Sequence, residues 1–308
     1  MPRKLLITGQ SGFVGQQVLA HLAAGHSPDW QALPAASHNL LDPASLDAWL
    51  TRDRPDAVIH LAGQTFVPAS FRDPAHTLQV NVMGTLNLLQ TLSRHDFQGT
   101  FLYVSSGDVY GQVTPEQLPI DETLLPRPRN PYAVSKLAAE NLCLQWAFSE
   151  PEWRILIARP FNHVGPGQAE NFLLPDMARQ LVRVRKGLQA PQLQVGDVDV
   201  SRDFLDVRDV VQAYFHLLEK GRSGEVYNVC SGIERNIREL IMHMADLAKV
   251  AVTLEQDPAR IRRSEQRRVA GNSARLRAET GWQPHITTTT TLHDVLRDWE
   301  ERVQNYNE

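Results

Sequence analysis

Tyr132 and Lys136 stand four residues apart in "NPYAVSK", and Ser106 precedes the tyrosine by 26 residues. On a helix, that four-residue spacing puts phenol and ammonium on one face. A phenol titrating at roughly 10 is a poor acid or base at neutral pH, and a neighbouring ammonium favours its phenolate and brings it toward a useful range. The plainer alternative is a lysine stem lying along a surface aromatic. Ser106 argues for chemistry instead. It sits in "SSGDVYG", directly after the apolar run "TFLYV", where a buried strand ends. From there its hydroxyl can hold a substrate oxygen beside the phenol, and Asp108 is the acid of the same stretch.

A second constellation is "ITGQSGFVG", with Gly9, Gly12 and Gly15 around Phe13 and Val14. Glycines at a strand-to-helix turn let backbone amides approach a pyrophosphate at the helix N-terminus. Glycine turns are common, and position decides: this one is the first βα junction of an alternating pattern. NAD-preferring sites usually carry an acid after the second strand, expected here near "WQALPAASHNLLD". No acid occurs between Asp29 and Asp42, and Ser37, His38 and Asn39 fill the region. Nothing there repels a 2′-phosphate and no arginine attracts one, so NADPH is favoured over NADH without NADH being excluded. Asp42 either approaches the adenine or caps the "PASLDAWL" helix.

The elements behind these residues read as an α/β fold. "KLLITG", "DAVIHLAG", "TFLYVSS" and "RILIARP" are strand-like apolar runs separated by helical stretches, a pattern of parallel strands covered on both faces. Asn130 and Pro131 open the helix that carries Tyr132. After about residue 165 the pattern loosens, and "ITTTTTLHDVL" reads as a loop leading into a Thr-capped helix. Hydrophobic content of 42 %, charged content of 21 % and a net charge of -4 suit a globular protein with no pull toward nucleic acid or anionic membrane. Cys143 and Cys230 form no CxxC pair, so neither a disulfide framework nor a metal site is expected. No run of about 18 apolar residues or signal-peptide pattern is present, which makes the expected location cytoplasmic.

The spaced motifs TGxxGFxG, a Ser before "VYG", and YxxxK resemble the extended short-chain dehydrogenase/reductase superfamily over nearly the whole chain. The resemblance implies a Rossmann-type doubly wound parallel sheet with a smaller C-terminal α/β substrate domain. Residues 1–165 would form the NAD(P)-binding part, 166–308 mainly the substrate part, and a stretch near 200–230 would return to the first. It also implies that Ser106 orients the substrate oxygen and Tyr132 donates or accepts the proton. Lys136 would lower the tyrosine pKa and hold the nicotinamide ribose. Leu61, Ala62, Gly63 and Pro160 would join the glycine turn around the cofactor.

"RPFNHVGPGQ", "SRDFLDVRDVV" and "AGQTFVPASFRDP" are similar to the nucleotide-sugar branch, and within it to enzymes using GDP-mannose derivatives. This implies Asn162, Arg179 and Arg202 as substrate contacts, with Gln64, Ser106 and Asp108 at the sugar and Arg262 and Glu265 on the nucleotide. The implied reaction is reduction of the 4-keto group of GDP-4-dehydro-6-deoxy-D-mannose to GDP-D-rhamnose. A 4,6-dehydratase needs a further acid–base pair after the serine, where this chain has Gly107 and then the short Asp108. A 4-epimerase and a cofactor-sensing binding module are the other readings. Helices near 74–94 and 131–148 carry apolar positions beyond one core's need, and relatives pair there, so a homodimer is expected.

Overall fold

A computed structural model describes residues 1–34, 39–260 and 266–305. Eleven strands are present among them: β1 (Arg3–Thr8), β2 (Trp30–Ala32), β3 (Ala57–His60), β4 (Thr100–Val104), β5 (Arg154–Pro160), β6 (Asn162–Val164), β7 (Gln192–Val195), β8 (Ser201–Asp206), β9 (Val226–Val229), β10 (Glu234–Asn236) and β11 (Thr253–Gln256). The helices are α1 (Phe13–Ala23), α2 (Pro43–Arg52), α3 (Val67–Arg72), α4 (Pro74–Leu78), α5 (Gly84–Arg94), α6 (Pro131–Ser149), α7 (Leu173–Arg185), α8 (Val207–Lys220), α9 (Ile237–Ala248), α10 (Ala274–Thr280) and α11 (Thr288–Asn305).

Six strands form one parallel sheet in the order β2-β1-β3-β4-β5-β9. Strand alternation divides the apolar residues between its faces. Leu5, Ile7, Ile59, Leu102 and Leu156 join Val210, Tyr214 and Leu217 of α8 in one core. Leu6, Val58, Phe101 and Ile155 join Trp49, Leu88 and Cys143 in the other. With both faces covered, the strands need no polar alternation, and β3 and β4 are buried throughout. Strand order reverses between β1 and β3, which opens a crevice at their carboxyl ends. The glycine turn follows β1, and Leu61–Gly63 follows β3.

A separate core fills the C-terminal lobe. Leu174, Met177, Leu181, Leu193, Ile241, Met244, Leu296 and Trp299 pack there, drawn from α7, β7, α9 and α11. Its strands form a three-stranded sheet, β10-β8-β6, and a parallel pair, β11-β7. Asp203 on β8 links this lobe to the large sheet. Its buried carboxylate accepts from Ser231 N and Oγ, Gly232 N and Gly271 N at 2.6–3.1 Å.

Local signals fix the helix starts. Asn130 accepts from Ala133 N at 2.7 Å with Pro131 at the first helical position, and Thr287 accepts from Thr290 N at 3.1 Å. Asp42 accepts from Ala44 N at 3.1 Å, which makes it the cap of α2. Among the described residues, no helix is long and apolar enough to cross a membrane, and no cluster of His, Cys, Asp and Glu could hold a metal ion.

Candidate active site

Three elements converge at the crevice. Ser106 ends the chain path out of β4 in extended conformation, and its Oγ accepts from Asp108 N at 3.1 Å. That bond fixes the hydroxyl at the start of a short 3-10 turn, Gly107–Tyr110. Tyr132 lies in the first turn of α6, buried, with its phenol near enough to Ser106 for that hydroxyl to favour the phenolate. Lys136 follows one turn later, 3 % exposed, with Nζ donating to Val104 O at 2.8 Å and 5.1 Å from the centre of the Tyr103 ring. The residues read from spacing alone are therefore together in space.

Their proton affinities differ from the expectation that Lys136 lowers Tyr132. Burial dominates: it holds the phenol well above its ordinary range, the nearby Asp108 charge pushes the same way, and the Ser106 hydroxyl opposes both. Lys136 bears the cost of its own burial, which pulls its ammonium down to about 8 against the opposing pull of Glu140. Burial thus favours the protonated phenol in the resting site and makes it a weaker acid than a free tyrosine.

Behind the triad runs a buried polar chain that no sequence motif announced as a unit. Thr8 Oγ1 accepts from Ala62 N at 3.1 Å and meets His60 Nδ1 at 2.6 Å. His60 Nε2 meets Thr85 Oγ1 at 2.9 Å, and Thr85 Oγ1 donates to Asn81 O at 2.6 Å. Since the Thr85 hydrogen is spent on Asn81, Nε2 must donate, and Nδ1 then accepts from Thr8. Asn81 lies in a π-helical turn, Gln79–Met83. Its side chain accepts from Gln64 N at 2.7 Å and donates to Gln64 O at 2.9 Å and Ser135 Oγ at 2.8 Å. Ser135 in turn donates to Tyr132 O at 2.6 Å. The strand that precedes the glycine turn is thereby tied to the helix of Tyr132. The "HLAG" and "VNVMGT" stretches held the signal, as polar residues inside otherwise apolar runs.

The glycine turn has the shape of an anion cradle. Gly9 has φ of 76°, and a Cβ there would stand 3.0 Å from Ala62 N. A Cβ at Gly15 would stand 2.2 Å from Gly9 O, so α1 can start this close to the turn only with glycine. Helix α1 starts at Phe13 without a side-chain cap and has no acid in its first turn, leaving first-turn amides to a ligand. Gly63 extends the cradle, since a Cβ there would meet Asn81 Oδ1 at 2.9 Å and Lys136 Nζ at 3.7 Å. Leu61 and Ala62 precede it, and Pro160 is buried at the end of β5 beside Val229. These features fit a dinucleotide. Phe13 also lies parallel to the ring of His163, 6.2 Å away, which links the cradle to β6.

The substrate side is less tightly bonded. Asn162 is exposed on β6 opposite Phe204, and Arg202 on β8 donates to Ser201 O at 2.8 Å. Gln64 is held by Asn81, while its side-chain oxygen is buried without a hydrogen-bond partner. Asp108 is exposed. Arg179 reaches Asp176 at 2.8 Å and Glu170 at 3.3 Å, and Arg260 reaches the other Asp176 oxygen at 2.6 Å. Both arginines line a cavity of about 320 Å³ with Gln180, Gln189, Gln192 and Gln194. A second cavity of about 320 Å³, between Phe204, Arg235, His285 and Leu292, touches neither the triad nor the glycine turn. Ser37, His38, Arg262 and Glu265 lie outside the described residues.

Gly107 carries a further constraint. A Cβ there would stand 3.1 Å from the Phe161 ring, so the position after Ser106 has no room for an acid–base side chain unless Phe161 moves.

The model of the GDP-mannose 4,6 dehydratase family matches residues 17–295. The chain belongs to this family. Within it, the chain is 60 % identical over 306 residues to GDP-6-deoxy-D-mannose reductase of Pseudomonas aeruginosa, covering 99 % of each. It is 28 % identical to GDP-6-deoxy-D-talose 4-dehydrogenase of Aggregatibacter actinomycetemcomitans, over 95 % of this chain and 96 % of that one. Among solved structures, RMD from Pseudomonas aeruginosa complexed with NADPH superposes with a TM-score of 0.93 at 59 % identity, over 97 % of this chain and 99 % of that one. The expected Rossmann-type fold and the reductase resemblance both stand on these likenesses.

Proposed function

We propose that the protein reduces the 4-keto group of GDP-4-dehydro-6-deoxy-D-mannose to give GDP-D-rhamnose, with NADPH preferred over NADH. The 60 % identical reductase and the NADPH complex of a 59 % identical structure support this reading. The observation that carries it on this chain is the state of the site: a buried phenol beside Ser106, and a glycine at 107, packed against the Phe161 ring, where a second acid–base group would stand. A dehydratase must take a proton from C5 and deliver one to the leaving C6 hydroxyl, whereas a ketone reductase needs one proton donor.

In this reading, Gly9, Gly12, Phe13, Val14 and Gly15 hold the cofactor diphosphate, Leu61–Gly63 and Pro160 line the rest, and Lys136 holds the nicotinamide ribose. NADPH, when bound, supplies the hydride. Ser106 aligns the C4 oxygen by its hydroxyl, and Tyr132 gives that oxygen the phenolic proton as negative charge develops on it. Lys136 stabilises the tyrosinate that is left. Gln64 and Asp108 border the sugar, Asn162 and Arg202 take the diphosphate, and Arg179 with Arg260 flanks the nucleotide end. The cation-rich cavity suits an anionic nucleotide. Arg262 and Glu265 remain assigned to the nucleotide by resemblance alone, as does Asp42 to the adenine beyond its capping bond.

The NAD(P)-binding part corresponds to the large sheet with its two cores, to which α8 and β9 return. The substrate part corresponds to the lobe around α7, α9 and α11. We assign the protein to the cytoplasm and to a homodimer. Phe71, Leu78, Met83, Val134 and Phe148 are exposed on the α3–α5 stretch and α6, and Phe148 is 88 % exposed. Such apolar exposure on neighbouring helices fits a helical interface.

Incubating the purified protein with the keto sugar nucleotide and following absorbance of the reduced nicotinamide tests the reaction. Oxidation of NADPH with formation of a 4-hydroxy product is expected; no oxidation of NADPH or NADH sinks the assignment.

A further inference from the structure

Helix α6 carries one more charged group on the face of Tyr132 and Lys136. Glu140 lies one turn beyond Lys136 and is 1 % exposed. Both of its oxygens accept from Arg159 on β5, Oε1 from Nε at 3.0 Å and Oε2 from Nη2 at 2.6 Å. Arg159 is itself buried, with its guanidinium 4.8 Å from the centre of the Tyr110 ring. A two-point bond of this kind fixes both the charge and the direction of the carboxylate.

We propose that Glu140 is the counter-charge that keeps Lys136 in its ammonium form inside the protein, with Arg159 clamping the carboxylate in place. The inference rests on the reading of Lys136 as part of the active site. Glu140 touches neither substrate nor cofactor in this scheme; it acts through Lys136.

The surroundings of Lys136 leave few other sources of negative charge. Its bonding partner, Val104 O, is a neutral carbonyl. Gly63 and Asn81 on the neighbouring segments bring none. Of the titratable groups facing it, Tyr132 and Cys143 on α6 and Tyr103 on β4 are all pushed up by burial and stay neutral. Arg159 on β5 is a cation, and Asp108 acts on Tyr132. Glu140 is the anion that remains, and its effect on Lys136 is to raise proton affinity against burial. Residues i and i+4 on a helix are separated by about 6 Å, close enough for a charge in a low-dielectric interior to matter. The pair thus does more than fill space between α6 and β5: without the carboxylate, the buried ammonium would shed its proton nearer neutrality.

Removing Glu140 alone strands a buried arginine, which risks unfolding. The informative variant is therefore Glu140→Leu with Arg159→Met, which replaces both charges by apolar groups of similar length. The chain has five lysines, so protein labelled at lysine Cε gives five carbon signals, and Lys136→Arg identifies the one needed. In the folded double variant the Lys136 titration midpoint should fall by about one pH unit or more. With NADPH and the keto sugar, the alkaline limb of kcat/KM should move the same way, a loss of about tenfold at pH 9 relative to the native enzyme. Arg159→Lys keeps both the carboxylate and a cation to pair with it, and should leave the midpoint near the native one. Glu140→Gln with Arg159→Gln, which removes both charges and leaves two amides able to bond each other, should lower it and serves where the apolar double variant is poorly folded. An unchanged midpoint in the folded double variant overturns the proposal, and so does an equal fall in Arg159→Lys, which would assign the effect to packing. If the native protein reduces no keto sugar while the midpoint still falls in the double variant, the proposed reaction is wrong and the counter-charge stands.

Discussion

Two polar walls of the molecule, one behind the glycine turn and one in the C-terminal lobe, are built on different principles. Behind the glycine turn, short polar side chains at the sheet's ends and on the helices beside it, among them Thr8, His60, Asn81 and Ser135, are buried and bonded in series. Each has its donors and acceptors assigned before any ligand arrives. In the cavity of the C-terminal lobe, long arginines spend their charge on carboxylates of their own lobe, with Arg260 40 % exposed at its side chain and Arg179 31 %. The first wall is preorganised and loses bonds if anything moves. The second must exchange ion pairs for ligand contacts, so much of the Coulomb gain of binding is offset by pairs given up.

That contrast can be broken or sharpened by substitution. Tyr132→Phe removes the proposed proton donor within an intact wall: turnover should drop by about three orders of magnitude while NADPH affinity, read by fluorescence, persists. Gly15→Ala attacks the cradle, where the new Cβ would stand 2.2 Å from Gly9 O. Unfolding should cost about 1–3 kcal/mol less, and NADPH affinity should fall about thirtyfold, measured by denaturant titration and fluorescence. Arg179→Met tests the looser wall. GDP affinity by calorimetry should fall about tenfold, in line with one charge-assisted hydrogen bond, while NADPH affinity holds and added salt shrinks the difference.

His60→Phe leaves Thr8 and Thr85 each short of a partner. A loss of about 1–2 kcal/mol is expected in denaturant titration, with a rise in KM for NADPH exceeding any change in kcat; His60→Gln should recover part of both. Smallest is Asp108→Asn. The Asp108 charge raises Tyr132's proton affinity, so removing it should let the phenol ionise at somewhat lower pH, still above neutrality. Below pH 8 the rate should change by less than about threefold, because the phenol stays protonated there. A larger change would mean that Asp108 takes part in the proton transfer.

Local signals were the legible part of the sequence. The Asn130 cap with Pro131, the threonine cap of α11 and the glycine turn are each decided within four or five residues, and each is where the sequence put it. The Tyr132–Lys136 pair was legible for the same reason. Long-range bonds were not: Glu140 with Arg159, Asn81 with Ser135, and Asp203 with Gly271 join residues that become neighbours only once the sheet is assembled. The proton affinity of Tyr132 was not legible, because spacing reveals a nearby cation but not the burial that raises it. The crowding of Gly107 against Phe161 explains in space what composition showed only as a missing acid.

The place of β9 at the end of the large sheet has a consequence for biosynthesis. Strand β5 pairs with β4 on one side and with β9 on the other, and Val226–Val229 are translated long after Pro160. Until they leave the ribosome, Ile157–Pro160 present an open strand edge, the kind of surface that recruits other strands. Nascent chains stopped between Pro160 and Val226 should therefore aggregate or be held by chaperones, and chains extended past Val229 should escape both. The last strand of the sheet closes the larger half of the molecule and also ends its most vulnerable interval.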